Sequence, residues 1–128
     1  MRLLLDTHTF LWFFVGSTSL STNARALIED ESNEKFFSVA SLWEIAIKAS
    51  VGKLTLSAPF DEIFPDQIAN NGIDLLSITS AHVSRITTLP FHHRDPFDRL
   101  LIAQAMIEQT QIVSADQALD AYSITRVW

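Results

Sequence analysis

Asp6, Glu44, Asp98 and Asp116 are far apart in the chain, yet each sits at a comparable point in its surroundings. Asp6 directly follows the apolar run Arg2-Leu3-Leu4-Leu5, and Asp116 comes two residues after Gln111-Ile112-Val113-Ser114. Glu44 falls in the first turn of a helix expected after the run 35–39, and Asp98 in the first turn of the helix that leads into the run 111–114. If the runs are parallel strands, all four carboxylates belong to one rim of the sheet, where they repel each other unless a cation is bound. Oxygen ligands, with no cysteine and no pair of histidines at helical spacing, suit a hard ion, Mg²⁺ or Mn²⁺. Such an ion lowers the pKa of a bound water and stabilises a leaving oxygen, which is the chemistry of phosphodiester hydrolysis; two ions would lie ~4 Å apart.

Each acid also has a structural reading. Asp6 can simply open a turn. Ser41-Leu42-Trp43-Glu44 matches a capping box, with Glu44 as cap partner. Asp95-Pro96-Phe97-Asp98 reads as a helix start, with Asp95 as N-cap, Pro96 in the first helical position and Asp98 favoured by the positive helix end. Asp95 is therefore assigned to structure, and Asp120 to a solvated helix face. Ser114-Ala115-Asp116 resembles a further cap.

The elements that must position these residues follow from periodicity and punctuation. Strands are expected over residues 2–5, 35–39, 73–78, 111–114 and 124–127. Helices are expected over 8–15, over 23–29 with Ser21 as N-cap, from Ser41 to near Gly52, over 59–68 with an interruption at Pro65, over 80–89 and from Pro96 to Gln109. Short apolar strands alternating with helices imply βαβ units, hence a three-layer α/β/α fold with a central, mainly parallel sheet of four to five strands. No linker or repeat divides residues 1–128, so one domain is expected.

Hydrophobic residues make up 48% and charged residues 19% of the 128, a composition that excludes a disordered chain. The absence of cysteine excludes a disulfide framework, a zinc–thiolate site and a thiol nucleophile. Phe10 to Val15 is too short to span a bilayer and the N-terminus turns polar early, so a soluble, cytoplasmic protein is expected. The formal net charge of −6 opposes a general nucleic-acid binder unless the acids are gathered in one pocket and filled by divalent cations.

Leu4-Leu5-Asp6-Thr7-His8, Ser38 to Ile45, Asp95 to Ala105 and Ile112 to Asp116, in this order, resemble the PIN-domain family, and within it the short VapC-type toxins of bacterial toxin–antitoxin pairs. The resemblance covers essentially the whole chain. It implies an Mg²⁺- or Mn²⁺-dependent endoribonuclease, with RNA as substrate, an antitoxin protein as partner and a homodimer. It places the family's acids on Asp6, Glu44, Asp98 and Asp116. The family often has Ser or Asn two residues after the first acid, where this chain has His8.

Arg94, Arg99 and Lys48 are the basic residues nearest the acids in sequence. Lys48 is at the i,i+4 position from Glu44 and Arg99 at that position from Asp95, so local ion pairs are expected for both. His92 and His93 fall in a polar loop, where solvated side chains are the ordinary outcome. The apolar residues Phe10 to Phe14 cover every face of a short helix, which suits either core or a partner surface. An aspartyl phosphatase would require Asp where His8 stands, and a receiver domain a late Lys that is missing. A housekeeping nuclease and a silent scaffold that binds a protein partner remain as alternatives.

Overall fold

The computed structural model describes all 128 residues. Five strands form one sheet: β1 (Arg2–Leu5), β2 (Glu34–Ser38), β3 (Ile73–Leu76), β4 (Gln111–Val113) and β5 (Arg126–Val127). Their order is β3-β2-β1-β4-β5, and every pairing is parallel. Leu4 of β1 lies opposite Phe36 of β2 and Ile112 of β4, so β1 is the central strand.

That position explains its unbroken apolar sequence. A strand covered on both faces needs apolar side chains in both directions. Leu3 and Leu5 point into one core with Phe10, Phe37, Ile45, Phe64 and Val113. Leu4 points into the other with Leu101, Ile102, Ala105, Ile112 and Tyr122. All three leucines are fully buried.

The first core is covered by helices α1 (Thr7–Val15), α2 (Thr22–Glu29), α3 (Val39–Ser50), α4 (Phe60–Ile63) and α5 (Asp66–Asn70). The second lies under α6 (Ser80–Ile86) and α7 (Pro96–Glu108). A 3₁₀ turn, Gln117–Ala121, joins β4 to β5. The three-layer α/β/α architecture is therefore the one anticipated, and Pro65 separates α4 from α5. No helix is long and apolar enough to cross a membrane.

Two local expectations are corrected. Helix α3 begins at Val39 rather than after Ser41, and its N-cap is Ser38, whose Oγ accepts the Ala40 N–H. Ser41 is buried inside the helix with no partner for its hydroxyl, so the capping box with Glu44 does not form. Arg99 does not pair with Asp95. It is buried, and its guanidinium donates to the carbonyls of Ile86, Leu89, Pro90 and His93.

Among the apolar residues of α1 only Phe10 is fully buried; Leu11, Trp12, Phe13 and Phe14 are half-buried and Val15 is exposed. The helix thus packs on the core from Phe10 to Phe14, while Leu11, Trp12, Phe14 and Val15 also line a groove.

Candidate active site

The strand order places the topological switch at β1 and β4. From β1 the chain moves outward through β2 to β3, then crosses to β4 on the other side. Helices connecting the two directions diverge there and leave a crevice at the carboxyl ends of the central strands. Asp6 follows β1 and Asp116 follows β4, so both border that crevice.

Asp6, Thr7, His8, Glu44, Lys48, Asp95, Asp98 and Asp116 line a recess of about 300 Å³ that contains no apolar residue. All four acids singled out in the sequence are thus brought to one cavity. Asp95, assigned to a cap, does cap α7 by accepting the Phe97 N–H, and it also borders the recess.

Local structure sets each side chain. Asp6 is the N-cap of α1, with Oδ1 accepting the Thr9 N–H at 2.8 Å. Asp116 caps the 3₁₀ turn through Oδ1 and the Ala118 N–H at 3.0 Å. Glu44 lies in the second turn of α3, because that helix starts earlier than its Ser41 suggested. It is buried, and accepts from the Thr7 hydroxyl at 2.7 Å and from Lys48 at 2.7 Å. The Glu44–Lys48 ion pair expected from spacing is therefore present, while Lys48 still borders the recess.

Asp98 differs from the other three. It takes no such hydrogen bond, and its carboxyl is pushed up to about 6 from the ordinary carboxylate range. Burial is the main cause; the Asp95 carboxylate adds to it, His93 opposes it, and Glu44 and Asp116 contribute less. The recess thus holds more negative charge than its own groups neutralise.

The donor set is all carboxylate and hydroxyl oxygen on the recess walls, apart from His8 and Lys48. As the side chains stand, no three acids or histidines lie close enough together to hold a metal ion. The carboxylates of the lining have the chemistry a hard divalent cation takes, and such an ion keeps several of its waters and needs only one or two of them directly.

Residues that the sequence left unassigned complete the surroundings. Thr7 holds Glu44 through its buried hydroxyl. His93 is not solvated: Nε2 lies 2.8 Å from Asp116 Oδ2, and Nδ1 lies 3.1 Å from the Tyr122 hydroxyl. His92 is exposed and packs edge-on against Tyr122. Arg94 is exposed and does not line the recess. Asp120 is exposed as expected, but it accepts two bonds from Arg126, which hold its carboxyl below the usual range.

Beside the recess, and sharing Thr7, His8 and Lys48 with it, runs a mainly apolar groove of about 480 Å³. Leu11, Trp12, Phe14 and Val15 of α1 form one wall, and Leu54, Leu56 and Phe64 contribute to the others.

Comparison with known proteins bears on the fold and the family. Over 60 residues the chain is 38% identical to the ribonuclease VapC16 of Mycobacterium tuberculosis, a match spanning 47% of this chain and 43% of that relative's length. The fold is similar to a chain of VapBC2 from Rickettsia felis, solved bound to a DNA fragment from their promoter. That likeness has a TM-score of 0.73 at 14% identity and covers 100% and 99% of the two chains. A chain of a toxin–antitoxin complex from Klebsiella pneumoniae is also similar, with a TM-score of 0.65 at 15% identity, covering 98% of this chain and 96% of that one. FitAcB from Neisseria gonorrhoeae contains another, with a TM-score of 0.66 at 12% identity and the same two coverages. The family model described as the PIN domain matches residues 3–124, nearly the whole of the fold and every wall of the acidic recess, and the chain accordingly belongs to the PIN domain family.

Proposed function

We propose that the protein is a metal-dependent endoribonuclease and the toxin of a toxin–antitoxin pair. The observation that carries this reading is the gathering of Asp6, Glu44, Asp98 and Asp116 around one polar recess at the sheet's switch point, with Asp98 destabilised as an anion. The relative named as a ribonuclease and the fold's likeness to chains of toxin–antitoxin complexes support it.

In this reading Asp6, Glu44, Asp98 and Asp116 would hold Mg²⁺ or Mn²⁺ between them, one or two directly and the rest, Asp116 among them, through water. The bound ion supplies charge stabilisation at the phosphate and a water of lowered pKa. Asp6 gives one oxygen to the helix it caps and keeps the other for the recess, while Asp116 gives Oδ1 to the 3₁₀ turn and has Oδ2 against His93, so both side chains are already oriented. Lys48 balances one oxygen of Glu44 and leaves a positive charge at the recess wall, where an RNA phosphate would enter. His8 stands at the same mouth as a contact for substrate.

Two partners belong to the proposal. The apolar groove alongside α1 is the surface we assign to an antitoxin segment, since it is continuous with the recess. Val39, Trp43 and Ile47 form an exposed stripe on α3, with Trp43 58% exposed and stacked edge-on against Phe97. We assign that stripe to a second copy of the chain. The setting would be the cytoplasm, where RNA substrate and partner meet.

The test is cleavage of RNA by the purified chain in Mg²⁺ or Mn²⁺. Asp6→Asn and Asp98→Asn are each expected to reduce cleavage at least a hundredfold while the far-ultraviolet circular dichroism stays unchanged. Cleavage that resists both substitutions and a chelator would overturn the mechanism. Expression that leaves growth unaffected, with no neutralising gene beside this one, would overturn the toxin role.

A further inference from the structure

Of the four acids Asp116 is the one that is exposed. It sits on a short 3₁₀ turn, and its side chain is 44% exposed. The hydrogen bond from the Ala118 N–H fixes only Oδ1. The second oxygen is met by His93, whose side chain is 10% exposed and which does not line the recess.

The ring is itself set from two directions. Its Nδ1 lies 3.1 Å from the hydroxyl of Tyr122, a residue of the core beneath α7. A tyrosine hydroxyl donating to Nδ1 leaves the proton of a neutral imidazole on Nε2, aimed at Asp116 Oδ2 2.8 Å away. The backbone of His93 is held by Arg99, a cation buried without any carboxylate partner. Its guanidinium donates to the carbonyls of Pro90 at 2.9 Å and His93 at 3.4 Å, and to those of Ile86 and Leu89 at 3.3 Å each. The exposed Phe91 ring covers it, 4.0 Å from the guanidinium carbon. A buried guanidinium spending its donors on one loop is a device for fixing that loop.

We propose that His93 is a positioning residue for Asp116, with Tyr122 setting its tautomer and Arg99 the loop that carries it. The role rests on the metal-site reading above, since it concerns how one of those carboxylates is aimed. Ligands held by an outer hydrogen bond lose about ten- to a hundredfold in metal affinity when that bond is removed.

The test uses the full chain, stripped by chelator, with Mn²⁺ as the probe in titration calorimetry without RNA. His93→Phe, which keeps the ring volume and removes both nitrogens, is expected to weaken Mn²⁺ binding about tenfold. His93→Gln, which can restore a donor near Nε2, is expected to recover most of it. In an Asp116→Asn background, His93→Phe should add no further loss. In cleavage assays kcat should fall with KM for RNA unchanged. Wild-type-like binding by His93→Phe, or an equal loss in the Asp116→Asn background, would overturn the positioning role and leave the nuclease reading intact. Failure of the wild-type chain to bind Mn²⁺ would overturn both.

Discussion

Among the four acids Asp98 carries the largest unresolved cost. Asp6, Glu44 and Asp116 each accept a hydrogen bond, whereas Asp98 faces burial and three neighbouring carboxylates. Its folded pKa of about 6 lies above that of an unfolded aspartate. The folded chain thus binds more protons at this site than the unfolded chain between about pH 4 and pH 6. Stability from this group is fully present below the unfolded pKa and is lost as pH rises through 6. In chelator, Asp98→Asn should therefore melt higher than wild type at pH 7.5, by on the order of 1 kcal/mol once solvent screening is allowed for, with the gap closing toward pH 4. A variant that loses cleavage and gains stability separates a functional acid from a structural one. Thermal unfolding at the two pH values checks this, and an Asp98→Asn protein that melts below wild type at pH 7.5 contradicts it.

At the scale of elements, the loop between α6 and α7 is organised by a residue that belongs to the helix after it. Arg99→Leu would fill part of the space but leave the carbonyls of Ile86, Leu89, Pro90 and His93 without their donor. A loss of about 2–4 kcal/mol in urea unfolding is expected. Hydrogen exchange should accelerate first over residues 86–95, while the β1 amides keep their protection. Equal acceleration everywhere would mean that Arg99 supports the core and not the loop. Arg99 also shows what the sequence made legible. The start of α7 was readable because Asp95, Pro96 and the first-turn acid Asp98 act through local rules, and the structure keeps the Asp95 cap. The partner of Arg99 was not readable, because four carbonyls brought near by the fold outcompete one exposed carboxylate. The start of α3 failed for the same reason. Ser38 and Ser41 are equivalent by local rules, but Ser38 Oγ also donates to the buried Gln104 Oε1 at 2.6 Å, a residue of α7 far away in sequence. The acids of the recess were legible because βα topology alone assigns them to one rim. His93 was not, since its two partners, Asp116 and Tyr122, lie across the chain.

For the molecule as a whole, the charge distribution decides whether it can meet a polyanion at all. The chain carries a formal net charge of −6, and five of its carboxylates border one recess. Lys48 is the one Lys or Arg lining that recess, and it is already paired with Glu44. An RNA phosphate approaching the metal-free recess meets repulsion at short range, where salt screens it poorly. A divalent cation reverses the sign of that field and also relieves the repulsion among the acids, so binding should be coupled to folding stability. At a free Mg²⁺ or Mn²⁺ concentration a hundred times its dissociation constant, the native state gains about 2.7 kcal/mol. For a chain of 128 residues this corresponds to a rise in Tm of roughly 10 °C. The rise should be absent at equal ionic strength in NaCl, since screening alone cannot occupy the recess. It should also be largely lost in Asp6→Asn and Asp98→Asn, although the latter starts from a higher Tm in chelator at pH 7.5. The opposite signs matter: the same substitution that stabilises the metal-free fold removes most of the stabilisation by the ion. A generally weakened protein would lose stability in both conditions. A rise of the same size in wild type and both variants would show that the ion acts elsewhere on this acidic surface and not at the recess.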